Sequence, residues 1–258
     1  MNYRDLFKRT VFIQSVLFIV LIWHIAANYV QIDSISSPAL VMEATYELFI
    51  SWNWIEHVWA TLRRTLGAVA ISIVVGVFIG VAMGISNFWE TFFNDAVIGL
   101  LAFPSLLLAV IPAMWFGISD WAPITAGALA AFPFVAISVH SGTNNIDVGL
   151  IDMSNSFNMS KLRMIKRVFI PTLLPELFAA ARYAFSICFK VVALTELVIT
   201  TTGVGWMIRF SLDNLDITGV ITWTLYFVVI ITIIEYGILQ PAEKRMFEWR
   251  PSAATGVR

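Results

Sequence analysis

The sequence predicts an all-α membrane protein with six transmembrane helices, and three observations carry that reading. Charged residues make up 13% of the chain against 59% hydrophobic, about half the charge of a soluble domain. Apolar runs of roughly twenty residues recur, the length a helix needs to cross a ~30 Å hydrocarbon core. The cations between those runs fall mostly on one side once the chain is threaded through a bilayer. The 258 residues read as one transmembrane domain, without the large soluble unit an enzyme usually carries. A net charge of −1 gives no footprint for nucleic acid, and no such partner is expected. The single Cys188 lies in an apolar run and excludes an intrachain disulfide.

The first span is expected at roughly 11–30, after Arg4, Lys8 and Arg9. Its apolar run exceeds the core of a cleaved signal peptide, so it reads as a retained helix. A turn follows at Ser36-Ser37-Pro38, then a helical stretch over about 39–50 and an interfacial tryptophan cluster, Trp52, Trp54 and Trp59. Arg63 and Arg64 precede span two, roughly 65–86. That span places Gly76, Gly80 and Gly84 on one helix face, a smooth strip read as a packing face within one subunit. Spans three and four, roughly 95–117 and 121–141, hold Pro104, Pro112, Pro123 and Pro133 and are expected to be bent. Asp120 and Trp121 connect them. Span five runs over roughly 173–200, a polar loop occupies Thr200 to Thr218, and span six covers roughly 219–240. From Pro241 onward the chain is charged and leaves the membrane.

Between spans four and five lies the most polar stretch of the second half, residues 147–176. Leu150, Met153 and Phe157, then Leu162, Ile165 and Phe169, recur at helical spacing, which predicts two short amphipathic helices. Asn158 sits between them, where a left-handed turn is expected, and Ser160 suits the N-cap of the second. Pro171 and Pro175 are expected to close the segment. With the N-terminus inside, eleven cations face the cytoplasm: Arg4, Lys8, Arg9, Lys161, Arg163, Lys166, Arg167, Lys244, Arg245, Arg250 and Arg258. Only Arg63, Arg64 and Arg209 then lie outside, so both termini and the 147–176 segment are expected to be cytoplasmic.

These residues resemble the coupling motif of the membrane-spanning subunits of bacterial ABC importers. That motif runs from an acidic-small-small triplet to a Gly and then to a terminal Leu-Pro. Here Asp152-Met153-Ser154 stands at the triplet, Asn158 at the Gly, and Val168-Phe169-Ile170-Pro171 ends the motif thirteen residues later. Further on, Leu174-Pro175, Arg182, Glu196 and Gly203-Val204-Gly205 look like a run typical of the taurine, nitrate, sulfonate and bicarbonate permease branch. Ala180 departs from that pattern, standing where the branch has a Gly. Upstream, Thr61-Leu62-Arg63-Arg64 with Gly67 and the stretch from Phe103-Pro104 to Phe116-Gly117 resemble the same branch.

The resemblance implies the permease of a binding-protein-dependent importer in the bacterial inner membrane, with the fold of a type I ABC importer permease. It implies a cytoplasmic coupling segment at 147–170 that docks a separate ATPase through Asp152, Met153, Ser154, Ser156, Phe157, Asn158, Met159 and Ser160. It also implies two ATPase subunits, a second permease copy as a homodimer and a soluble binding protein. The chain has no G-x-x-x-x-G-K-[ST] motif, so ATP and Mg are expected on the partner and this chain is not expected to be an enzyme or to bind a cofactor. His24, His57 and His140 lack metal-ligand spacing, and no metal site is expected. Candidate pathway or gate residues are Arg182, Lys190 and Glu196 in span five, with Phe103, Phe185 and Phe189. Charges in a span face protein or water. Either they line the pathway, with the cations favouring a small anion such as a sulfonate, taurine, nitrate or a carboxylate, or each pairs with a neighbouring helix. Glu235 in span six is expected to pair across helices. Lys161 to Arg167 read either as part of the docking segment or as a basic face held by anionic membrane lipid. An ATP-independent channel or secondary carrier is the alternative function.

Overall fold

A computed structural model describes residues 3–29, 36–157 and 159–246, and every regular element in it is helical. Helix α1 spans Tyr3–Tyr29 and α2 spans Pro38–Ser51. The start of α2 follows the expected turn: the Ser37 hydroxyl accepts from the Leu40 N–H at 3.4 Å, and Pro38 takes the first helical position, where no N–H is needed. Helix α3 (Trp54–Ile85) begins well before the expected start near 65. Hydropathy sees only its apolar part; the polar first turns stay helical because Thr61 and Arg64 are buried against protein partners.

Helices α4 (Asn87–Ala102) and α5 (Ser105–Phe116) replace the single bent span expected at 95–117. They meet at 101° across Phe103-Pro104. Phe103 is extended (φ −70°, ψ 133°), as the residue before a proline tends to be, and the helix breaks there. By contrast α6 (Trp121–Asn144) is a single helix through both Pro123 and Pro133. Pro123 falls in its first turn, where the missing N–H has no intrahelical role.

Helix α7 (Val148–Ser156) is the first expected amphipathic helix, and Asp147 caps it by accepting from the Gly149 N–H at 2.8 Å. The second is not separate. α8 (Lys161–Met164) passes through a π-helical turn at Ile165–Phe169 directly into α9 (Ile170–Ile199). Pro171 and Pro175 therefore lie inside one long helix rather than closing the segment. The wide turn accounts for this: the Ile170 N–H bonds the Ile165 carbonyl five residues back, which relieves the backbone just before Pro171. The same device recurs at the end of the chain. α11 (Ile217–Thr232) runs through a π-helical segment at Ile233–Leu239 into α12 (Gln240–Met246), so the helix continues past Pro241. Residues 200–218 are not simply a polar loop, because α10 (Val204–Asp213) occupies their middle. Its Met207 and Ile208 pack on Val58, Val204 and Trp223, burial that a ten-residue helix carrying Arg209 and Asp213 hides from hydropathy.

Among the described residues, four unbroken helical stretches are long and apolar enough to cross a membrane: Trp54–Ile85, Trp121–Asn144, Leu162–Ile199 and Ile217–Met246. The α4/α5 pair makes a fifth if it forms one crossing. At the centre, α3 and α6 run parallel and α9 runs antiparallel to both. Ala68, Ala131, Val135, Val139, Ala184, Cys188 and Val192 form their shared core. The glycine strip of α3 faces α6: a Cβ on Gly76 would lie 2.5 Å from Val135 Cβ, and one on Gly80 would lie 2.5 Å from the Ala136 carbonyl oxygen. Those glycines set the helix separation. Charged groups gather at both ends. Arg64, Asp120 and Glu196 lie where α3 and α6 begin and α9 ends; α7 and the basic turn of α8 lie at the other end.

Candidate functional site

Two features stand out from the bundle, one at each end. The first is α7. Leu150, Met153 and Phe157 share one face at helical spacing, and that face is open: Met153 is 50% exposed and Phe157 76%. Among the described residues, α7 has no extensive packing interface with another helix. Asp152, Ser156 and Ser160 are exposed beside the stripe, Met159 is half-buried, and Ser154 is buried with its hydroxyl on the Leu150 carbonyl at 2.8 Å. The turn closes through the Met159 N–H, which bonds the Ser154 carbonyl at 3.0 Å. The Ser160 carbonyl accepts from the Arg163 and Met164 N–H groups at 2.9 and 3.0 Å, so α8 starts at the expected residue. Asn158, for which a left-handed conformation is expected, lies outside the described residues.

The second feature is a buried ionic cluster. Glu196, 0% exposed, accepts from Arg64 Nη1 at 2.7 Å, from the Thr61 hydroxyl at 2.8 Å and from the Gly205 N–H at 3.2 Å. Arg64, 5% exposed, also donates to Asp120 Oδ1 at 2.7 Å and to the Thr202 carbonyl at 2.7 Å. Asp120 in addition pairs with Arg63. The Val204 N–H bonds the Thr61 hydroxyl at 2.9 Å, and the Gly203 N–H bonds His57 Nδ1 at 3.3 Å. One guanidinium thus joins α3, the α5–α6 connection, the end of α9 and the start of α10. A charge buried this deeply is tolerated because it is paired and its remaining hydrogen-bond groups are satisfied.

The glycines after α9 make that closeness possible. Gly203 has φ +119° and ψ 167°, a region essentially confined to glycine, and a Cβ there would collide with the Glu196 carboxylate. Gly203→Ala is expected to cost at least about 1–3 kcal/mol from backbone strain alone. Thermal unfolding of the purified protein in detergent measures it, and unchanged unfolding would sink the account.

Span five otherwise divides its charges. Arg182 donates to Glu235 at 2.5 Å and to Glu243 at 2.6 Å, so Glu235 does pair across helices. Lys190 is exposed, and among the described residues it has no ion pair. Phe185 and Phe189 are buried and stack at 6.0 Å, with Phe189 also on Phe227 at 4.6 Å; Phe103 is partly exposed at the α4–α5 break. Sequence reasoning missed the role of Arg64, which it counted among loop cations outside the membrane. The available signal was Glu196 itself, an acid in a span that needs a cationic partner.

A bundle of helices apolar enough to span a membrane, with one amphipathic helix left outside it, belongs to the class of multi-pass helical membrane proteins. Residues 72–241 match the family described as binding-protein-dependent transport system inner membrane component, and the chain belongs to that family. It is thus the membrane component of an ABC importer, a non-catalytic subunit of the inner membrane. Among its relatives are a putative aliphatic sulfonates transport permease, SsuC, of Bacillus subtilis strain 168 (24% identical, covering 91% of this chain and 85% of the relative). The taurine transport system permease TauC of Escherichia coli K12 is 25% identical, covering 84% and 75%. The formylaminopyrimidine transport permease ThiX of Halalkalibacterium halodurans is 25% identical, covering 91% and 93%. In fold, the chain is similar to a chain of the MetNI methionine ABC transporter in inward-facing form, with a TM-score of 0.64 and 20% identity over 78% of this chain and 97% of that one.

Proposed function

We propose that this chain forms the translocation pathway for a small solute of the sulfonate or taurine type, and that residues 147–170 couple it to an ATPase. The observation that carries the coupling role is the open apolar stripe Leu150, Met153 and Phe157, which no other described helix covers extensively. Asp152, Met153, Ser154, Ser156, Phe157, Asn158, Met159 and Ser160 are the proposed contact. The chain on either side of α7 leads into α6 and α9, two of the three core helices. The unbroken helix Leu162–Ile199 spans about 57 Å at 1.5 Å per residue. A push on α7 therefore reaches the Glu196 cluster through one rigid element, and nucleotide-driven closure of two ATPases rocks the bundle as a body.

The assembly proposed is two such permeases, identical by the commonest symmetry, two ATPases carrying ATP and Mg, and an external binding protein. With α1 counted as a sixth crossing, both termini lie on the cytoplasmic side with α7. For the substrate, the support is the naming of two relatives for sulfonates and taurine, together with the unpaired cation Lys190. Arg182 is neutralised by two glutamates, so Lys190 with Phe103 is the proposed pathway lining, while Arg182 and Glu196 hold helices. Phe185 and Phe189 back the pathway from within the core.

The test is reconstitution with the cognate ATPase and binding protein. Met153→Asp with Phe157→Asp removes two apolar anchors, each worth about 2 kcal/mol or more at an interface. ATPase retention is expected to fall more than tenfold, with transport lost and the permease still folded. Full transport by that variant, or gradient-driven transport by the permease alone in vesicles, overturns the reading.

A further inference from the structure

The docking role uses α7 and leaves the basic turn after it unexplained. Arg163, Lys166 and Arg167 are exposed, and among the described residues none of them makes an ion pair. Further along the helix, Glu176 packs its Cβ and Cγ against α6 beside Gly142. Directly along the same helix lies a groove of about 610 Å³ with apolar walls. Val77, Val81 and Ile85 of α3 form one wall, and Ile165, Phe169 and Leu173 form the other. Residues four apart share a helix face, so Lys166 stands one turn from Ile170, which also lines the groove. Cations and groove are therefore continuous.

The dimensions fit one leaflet. From Ile165 to Leu177, the last residue of the wall, the continuous helix Leu162–Ile199 rises about 18 Å, and from Val77 to Ile85 α3 rises about 12 Å. Half of a ~30 Å hydrocarbon core is about 15 Å. The groove thus starts at a ring of cations and runs inward for the length of an acyl chain. Both walls belong to helices long and apolar enough to span a membrane, and the groove residues Ile85, Ile165, Ile170 and Leu174 remain exposed. A second copy of this chain is a poor occupant. A two-fold interface through the groove would set Arg163, Lys166 and Arg167 against their own copies.

We infer that this groove is a binding site for an anionic glycerophospholipid, with an acyl chain between α3 and α9 and its phosphate on Arg163, Lys166 and Arg167. The lipid fastens the turn that follows α7 to the membrane surface, next to the π-helical turn where α8 becomes α9. Unlike a general attraction to charged lipid, the site demands both parts of the molecule.

The experiment is native mass spectrometry of the assembled transporter in mild detergent, with phosphatidylglycerol and phosphatidylcholine of identical chains. Each cation near an anionic group contributes about a fivefold factor, so at least a tenfold preference for phosphatidylglycerol is expected. Arg163→Gln with Lys166→Gln and Arg167→Gln should bring the ratio to about one and leave phosphatidylcholine retention intact. Val81→Trp should lower retention of both lipids severalfold. Equal retention of the two lipids by the unaltered protein overturns the proposal, as does a preference that survives the triple change. Glycerol phosphate retained as well as the lipid would point to a free-anion site and also overturn it. So would Val81→Cys if it cross-links to a second permease or to the ATPase. Arg163→Lys with Arg167→Lys guards against misfolding: it must keep the preference, and loss there equally refutes the site.

Discussion

Arg64→Ala is expected to destabilise the folded protein by about 3–5 kcal/mol, the range for removing one partner of a buried ion pair. Glu196 stays behind with no exposure to water and only the Thr61 hydroxyl and the Gly205 N–H as donors. Asp120 and the Thr202 carbonyl lose their contacts with the guanidinium at the same time. For a chain of this size such a loss lowers the unfolding midpoint by roughly 10 °C. Arg64→Lys keeps the charge but cannot reproduce the planar fork that reaches α9, the α5–α6 connection and Thr202 together, so it should fall in between. Replacing Arg64 and Glu196 jointly by leucine should cost far less than either single change, because no charge is left stranded. Thermal unfolding in detergent, followed by tryptophan fluorescence, ranks the variants. An Arg64→Ala protein that unfolds within a degree or two of the parent would show that the cluster contributes little.

The second large effect is expected in the glycine strip. Gly80→Ala adds a Cβ that would lie 2.5 Å from the Ala136 carbonyl oxygen and 2.8 Å from Val139 Cβ. Backbone cannot turn aside as a flexible side chain would, so α3 and α6 must separate. Overpacking of this kind costs about 1–3 kcal/mol, more than the ~1 kcal/mol an alanine gains over glycine in a helix. Gly80→Leu should be worse still. Gly99 on α4 supplies the control, since an added Cβ there meets nothing within 4 Å. Gly99→Ala should be neutral or slightly stabilising, by up to about 1 kcal/mol. Equal stability of the Gly80 and Gly99 variants, read from the same unfolding curves, would contradict the close α3–α6 contact.

How much of this was legible depended on the range of the signal. The glycine strip was readable because four-residue spacing fixes one helix face, and that face meets α6. The break at Phe103-Pro104 was half readable: proline announced a bend but not 101°. Pro171 misled, and the helix that runs through Pro241 shows the same reason. Each follows a π-helical turn whose wide backbone accommodates the proline, and no residue pattern in the sequence marks such a turn. The first helical turns of α3 and the whole of α10 were hidden because Thr61, Arg64 and Ser211 are buried by packing between distant segments, which a hydropathy window counts as if they faced water.

The apolar runs and the basic 147–176 segment determined that this is a helical membrane protein with an outlying amphipathic helix, because hydropathy and 3.6-residue periodicity are properties of neighbours in the chain. Its own residues also carried the family likeness from Asp152 to Gly205. Only the tertiary structure decided which charges meet. Arg64 and Glu196 stand 132 positions apart and Arg182 and Glu235 stand 53 apart, and each pair touches because the fold brings distant segments against α9. It decided too that α7 stays uncovered while α8 fuses with α9. Both outcomes follow from packing between distant segments, and no local pattern encodes them.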